Sequence, residues 1–258
     1  MNQLCTIVIS SCDAYSDLWR PFFTLMQRQW ADCPFPIILG SNHLVFEDPS
    51  VKTICVGDEK NWSNSTLIQL EQIKTTYVLM LLDDFFIEQN VDNESVMAAL
   101  DFAQRCEAHL VRLHTNPPPD RPTTHSAFGE ITLNAPYRVS TQAAIWQRTS
   151  LIALLKKGES IWSFEIEGTQ RSRTIFENGF YGSWQSIITY SHVVERGKWM
   201  PRAIKKYENM AIGCDFSARP TFEGKDLWLF RATRLKAEIV KRLPKTIHEG
   251  LKKMLKKV

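Results

Sequence analysis

The sequence predicts an α/β protein: a mostly parallel, Rossmann-like sheet flanked by helices, followed by a basic amphipathic helical tail. Three observations predict it. Short apolar, β-branched runs alternate with stretches of helical periodicity. Those runs are apolar at nearly every position, the pattern of strands covered on both faces. Residues 226–258 combine apolar residues at steps of three or four with many lysines and arginines.

The elements follow in order. Leu4 to Ser10 (LCTIVIS) reads as a buried strand ending in small polar residues. Asp17 to Trp30 carries Leu18, Phe22, Leu25, Met26 and Trp30 at helical spacing, with Pro21 in the first turn, where proline is tolerated. Pro36 to Leu39 and Val51 to Val56 are two further strands. Ser63 or Ser65 is placed to cap a helix that presents Leu67, Leu70 and Ile73. Thr76 to Leu82 (TYVLMLL) is a buried strand that stops at Asp83-Asp84. Glu94 to Cys106 reads as a helix and His109 to His114 as a strand. Asn116 to Thr124 holds four prolines, so it is neither helix nor central strand. It divides the chain into a nucleotide-binding half (1–115) and an acceptor-binding half (116–224), with the tail beyond. A strand is expected around Tyr137 to Trp146 and a helix around Ser150 to Lys157. A polar loop with Trp162 and Glu165 and a strand near Ile187 to Val194 complete the second half.

Composition narrows the class. Apolar residues make up 44% of 258 and charged residues 23%, ordinary for a globular chain. The six cysteines are scattered without a C-x-x-C pair, which disfavours a zinc knuckle and fits a reducing compartment. Met1 to Cys5 runs into a strand without a basic-then-apolar leader, so no signal peptide is expected. No window approaches about 18 apolar residues, so no membrane span is expected. The tail carries net +7 in a chain totalling +3, so the body holds −4. An acidic body with one basic end does not suit a nucleic-acid binder.

Chemistry is expected beyond the carboxyl ends of the strands. There is no G-x-G-x-x-G, no G-K-[ST] and no G-x-S-x-G, which removes the dinucleotide, P-loop and hydrolase-elbow readings. Instead Ser10-Ser11-Cys12-Asp13-Ala14-Tyr15 follows the first strand. Asp13 can accept from base or ribose and Tyr15 can stack; equally, Asp13 or Ser16 can cap the next helix. Asp83 and Asp84 close a buried strand, where adjacent carboxylates repel unless a cation, donor or proton compensates. Mg²⁺ or Mn²⁺ would compensate, bound by one or two carboxylates together with substrate phosphates. His192, after an apolar strand, is a candidate further ligand. In Trp162-Ser163-Phe164-Glu165-Ile166-Glu167 an acid among aromatics can act as general base, Glu165 first and Glu167 in reserve, with Trp162 and Glu167 facing the acceptor.

The order of these features resembles bacterial GT-A-type glycosyltransferases of surface-polysaccharide assembly, a group with an SSCD-x-YSDLW start, an LLLDDFF segment and a W-x-FE segment. Here the matches are Ser10 to Trp19, Leu81 to Phe86 and Trp162 to Glu165, across residues 4–200. The resemblance implies transfer of a sugar from a nucleotide-diphosphate donor to a hydroxyl of a glycan or lipid-linked glycan. It implies nucleotide contacts from Asp13 and Tyr15, metal and diphosphate-ribose contacts from Asp83 and Asp84, and an acceptor-facing acid in Glu165. Beside it, the residues themselves make Ser10, Ser11 and Asp83 candidate nucleotide contacts, Asp83 and Glu165 candidate catalytic acids, and Asp84 and His192 candidate metal ligands. One departure stands out. The family's D-x-D is D-D here, and adjacent side chains in extended backbone point to opposite faces. Either one aspartate binds metal while the other orients ribose, or the site works without metal. The rival readings are a nucleotidyltransferase, which would normally show a Gly- and Arg/Lys-rich first loop, and a nucleotide- or glycan-binding module without catalysis.

In the tail, Leu235, Ile239, Leu243, Ile247, Leu251, Met254, Leu255 and Val258 form the apolar stripe, with Pro244 interrupting it and Trp228 and Phe230 upstream. Such a helix either packs on the body or lies on an anionic membrane. The expected location is therefore cytoplasmic, peripheral to the inner face of the cell membrane.

Overall fold

The computed structural model describes residues 4–224, so the basic tail (226–258), with its membrane reading, lies outside the described residues. The chain opens with strand β1 (Cys5–Ser10), a 3-10 turn (Asp13–Leu18) and helix α1 (Trp19–Gln29). Strands β2 (Ile37–Ser41) and β3 (Val51–Cys55), helix α2 (Trp62–Glu71) and strand β4 (Tyr77–Leu82) follow. After the short β5 (Phe85–Ile87) come α3 (Asn93–Arg105), β6 (Leu110–Arg112), β7 (Arg121–Pro122), β8 (Phe128–Glu130) and β9 (Ala144–Gln147). Helices α4 (Arg148–Leu154) and α5 (Ile161–Ile175) precede β10 (Phe180–Ser183), β11 (Tyr190–His192), β12 (Val194–Glu195), β13 (Lys198–Trp199) and α6 (Pro201–Tyr207).

One nine-stranded sheet runs β3-β2-β1-β4-β9-β6-β10-β8-β7. The first four strands are mutually parallel, and β6 and β10 share their direction, while β9 and β8 run the other way. This is the mostly parallel, Rossmann-like α/β arrangement that the apolar runs predict. Alternation explains the continuous hydrophobicity. Ile7, Ile9, Leu79 and Leu81 face one core with α1 and α3, and Val8, Val78 and Met80 face a second with α2, α4 and α5. Leu79 is fully buried, so its truncation to Ala is expected to cost about 2–5 kcal/mol.

The proline-rich segment feeds β7, the last strand of the same sheet. Several expected elements differ in detail. The expected helix over 17–30 begins as the 3-10 turn. Neither Ser63 nor Ser65 caps α2: Asn61 stands at the cap, and buried Ser63 accepts the Glu159 N–H at 3.0 Å. The strand expected over 137–146 contracts to β9, because the preceding backbone folds across α5, where the Val139 N–H meets Thr169 Oγ1 at 3.1 Å. The strand expected over 187–194 divides into β11, which pairs with β5, and β12, which pairs with β13 around an Arg196-Gly197 turn with both residues at positive φ. The loop expected around Trp162 and Glu165 is instead the first turn of α5, capped by Ser160, whose Oγ accepts the Ser163 N–H at 3.2 Å.

Candidate active site

Strand order reverses between β1 and β4, the position where doubly wound sheets open a crevice beyond their carboxyl ends. The register is level there. Ser10 pairs with Leu82, so Ser11 and Asp83 emerge side by side. A cleft of about 410 Å³ opens at this point, lined from β1 by Ser10, Ser11, Cys12 and Tyr15 and from β4 by Leu82, Asp83 and Asp84.

Each wall is fixed by its own bonds. Ser10 Oγ accepts the indole N–H of Trp62, the first residue of α2, at 2.9 Å. Ser11 Oγ accepts the Trp19 indole N–H at 2.7 Å and donates its own proton to Asp83. Tyr15 stands under Arg219, whose guanidinium lies 4.2 Å from the ring centre. Asp83 and Asp84 occupy a tight turn between β4 and β5 rather than extended backbone, so both reach the same cleft.

Across the cleft, α5 presents Ile161, Trp162 and Glu165, which share one helix face at steps of three and four. Thr141 donates both its backbone N–H and its hydroxyl to Glu165 Oε1, each at 2.8 Å, and Oε2 has no hydrogen-bond partner among the described residues. Phe164, beside Glu165 in sequence, turns inward and packs 5.1 Å from Trp62. The aromatic neighbour of the acid is therefore Trp162, itself 57% exposed. Glu167 lies about 200° round the helix from Glu165. It is exposed and does not line the cleft, which corrects its assignment to the acceptor side.

Asp13 also departs from expectation. Its carboxylate accepts the backbone N–H groups of Asn42 (2.9 Å), His43 (3.1 Å) and Leu44 (3.2 Å), and it does not line the cleft. Burial pulls this carboxyl up, but the three amides outweigh it and hold its pKa below the ordinary value. Asn42 in turn donates to the carbonyls of Gly57 (2.9 Å) and Glu59 (2.7 Å). Asp13 thus steadies the segment that brings Glu59, Lys60 and Trp62 to the cleft.

The electrostatics are those of an acidic site. Glu59, Asp83, Asp84, Glu165 and Glu195 line it, against Lys60 and Arg196. Burial raises the Asp83 pKa well above the carboxylate range and Asp84 raises it further, against the opposing Ser11 hydrogen bond. Burial and then Asp84 raise Glu195 as well. Burial and the nearby Asp83 raise Tyr15. An anionic ligand would need a cation here. Among the described residues no cluster of three or more His, Cys, Asp or Glu side chains encloses a metal site. Asp84 Oδ2 and His192 Nδ1 lie 3.7 Å apart, close enough for one ion to touch both. Any ion held there would need substrate phosphates and water to complete its shell.

The sequence reading missed Trp62, Lys60, Thr141, Gln142, Glu195 and Arg196. A trace existed for the last two: the E-R-G-K stretch between apolar residues is a hairpin signal.

No protein-family model matches the chain, and no curated protein matches it. Among solved structures, the fold is similar to Staphylococcus aureus TarS residues 1–349 in complex with UDP-GlcNAc. That match has a TM-score of 0.47 at 14% identity and covers 73% of this chain and 57% of that one. It is also similar to a CMP-2-keto-3-deoxy-manno-octonic acid synthetase complexed with CTP (TM-score 0.41, 12% identity, 70% of this chain and 88% of that one). A cytidylyltransferase from Leptospira borgpetersenii gives TM-score 0.42 at 10% identity, over 68% of this chain and 73% of that one. The chain spans under three-fifths of the length of the TarS fragment. These likenesses are of chain path; what the cleft can do follows from its own residues.

Proposed function

We propose that this chain is a glycosyltransferase that moves a sugar from a nucleotide-diphosphate-sugar donor to a hydroxyl of a glycan or lipid-linked glycan in surface-polysaccharide assembly. The observation that carries the reading is the meeting of three parts in one cleft. They are the loop leaving β1, the paired aspartates ending β4, and the oriented carboxylate of Glu165 opposite them.

In this reading the nucleoside lies against Tyr15 and Trp62, with Ser10 and Ser11 beneath it. Asp83 takes the ribose or diphosphate-proximal position. Asp84 and His192 would hold the divalent ion, while Lys60 and Arg196, the latter 3.9 Å from Glu195, line the cleft where phosphate would lie. The ion, when bound, supplies neutralisation of the charge that gathers on the departing diphosphate. Glu165, held through one oxygen by Thr141, accepts the acceptor's hydroxyl proton on the other, and Trp162 gives the acceptor sugar an apolar wall. Attack in line with the leaving diphosphate would invert the anomeric centre. Among the described residues no helix is long and apolar enough to cross a membrane. The basic segment 226–258 is proposed to bring the enzyme to an anionic lipid surface bearing the acceptor.

Thermal-shift measurements with UDP-, GDP-, CMP- and dTDP-sugars, with and without Mn²⁺, test this. One base family is expected to stabilise the protein, and more strongly with Mn²⁺. Absence of stabilisation by the UDP-, GDP- and dTDP-sugars, or stabilisation by CMP-sugars alone, which carry no diphosphate, would contradict it.

A further inference from the structure

A second cleft, of about 500 Å³, opens where the segment after β10 faces the segment joining β5 to α3. Because β10 runs in the same direction as β4, this cleft lies on the same edge of the sheet as the first. Three strand steps separate β4 from β10, about 14 Å at the usual spacing. The chain that lines it runs directly into β11, whose His192 belongs to the first cleft.

Its chemistry is unlike that of the first. No lysine or arginine lines it, and its one charged residue, Asp92, is spent capping α3, where it accepts the Glu94 and Ser95 N–H groups. A phosphate would find no cationic partner in this lining. Gln89, Asn90, Ser126 and Gln185 present amide and hydroxyl groups with no hydrogen bonds to the protein among the described residues. Trp184, 39% exposed, lines the cleft with them. Its backbone N–H is pinned to the Ala127 carbonyl at 3.0 Å, and its ring packs so closely on Gly129 that an added side-chain carbon there would stand 2.4 Å from it. A fixed, partly open indole ringed by uncommitted, uncharged donors and acceptors matches a neutral sugar. The apolar C–H face of a pyranose packs on the ring while its hydroxyls reach the amides.

We propose that this cleft is a carbohydrate-binding subsite that holds a neutral oligosaccharide with Trp184 as platform, distant units of the acceptor glycan lying here while its terminal hydroxyl reaches the first cleft. Only the word acceptor rests on the glycosyltransferase reading; the sugar site does not.

The test is saturation-transfer NMR on the full chain with maltohexaose, chitohexaose and xylohexaose, alongside separate titrations of UDP, GDP and dTDP. At least one hexasaccharide is expected to bind. Trp184→Ala should weaken it by about fivefold or more, and Trp184→Phe should retain most of the affinity. Gly129→Ala, which keeps the indole but displaces it, should reproduce the loss. Affinity for whichever of these nucleotides binds should be the same in all four proteins. Failure of every hexasaccharide to bind, or unchanged affinity in folded Trp184→Ala, overturns the subsite. Failure of the parent protein to bind UDP, GDP or dTDP, with hexasaccharide binding intact, overturns the donor-site reading instead and leaves this one standing.

Discussion

Arg219 ties the segment after α6 to the β1 side of the cleft, and Arg219→Ala should damage stability and, on the proposed function, nucleotide binding together. Its guanidinium donates to both oxygens of Asp17, at 2.7 and 2.5 Å, and to the Ala14 carbonyl at 2.7 Å. It also covers the Tyr15 ring. The pair is nearly enclosed, with side chains 8% and 21% exposed. Removing one partner of a fully buried pair costs about 3–5 kcal/mol, while an exposed pair contributes under about 1. Because water still reaches a fifth of Asp17, the pair should sit between these limits, at about 2 kcal/mol. The lost cation–π contact adds about 0.5–1 kcal/mol. Together they correspond to a fall in Tm of about 5–10 °C for a chain of this size. Arg219→Lys should recover little, since an ammonium cannot form the two-pronged contact or stack as flatly. Thermal denaturation followed by circular dichroism reads the first effect. Titration, on the folded variant, of the nucleotide that binds the parent reads the second, with a loss of about threefold or more as Tyr15 is released. A Tm within 2 °C of the parent, by the same scaling, together with unchanged affinity, would refute the reasoning.

Ser11→Ala removes the donor to Asp83 and strands the Trp19 indole N–H, so urea denaturation should show a loss of about 2–4 kcal/mol. Asp84→Asn should abolish the Mn²⁺ enhancement of donor binding, whereas Glu165→Gln should preserve binding and slow transfer by about 10²–10⁴-fold; normal transfer by both variants would remove their roles. His109 is held neutral: burial lowers its pKa below the ordinary 6.5, against the opposing Gln147 hydrogen bond. The unfolded chain therefore binds the proton first as pH falls, and stability present above about pH 6.5 should decline below it. Denaturation at pH 7.5 and 5.5 should show that slope in the parent and a shallower one in His109→Asn.

The first half of the chain was legible because its strands are buried on both faces, which leaves runs such as LCTIVIS and TYVLMLL that few other structures explain. The carboxyl-edge rule then pointed to Ser10, Ser11 and the aspartates. Helix α5 was not legible, for a physical reason. Its buried positions are Phe164, Gly168, Thr169 and Ser172, helical in spacing but mostly small or polar. Its exposed Trp162 and Ile166 imitate an irregular apolar loop. Misreading it as a loop kept Glu167 beside Glu165 as a candidate. Asp13 was misread because an acid after a strand serves equally to bind a ligand or to gather backbone amides, and only the path of residues 42–44 decides. Arg219 lies more than 200 residues from Tyr15 and carries no local signal. The second cleft is built from uncharged residues with no motif at all.

Hydrogen–deuterium exchange with a saturating nucleotide sugar tests the central claim most directly. Protection is predicted at residues 10–15, at 59–62 and at the β4–β5 turn that carries Asp83 and Asp84. Protection confined to other parts of the sheet, or none with any donor base, would contradict it.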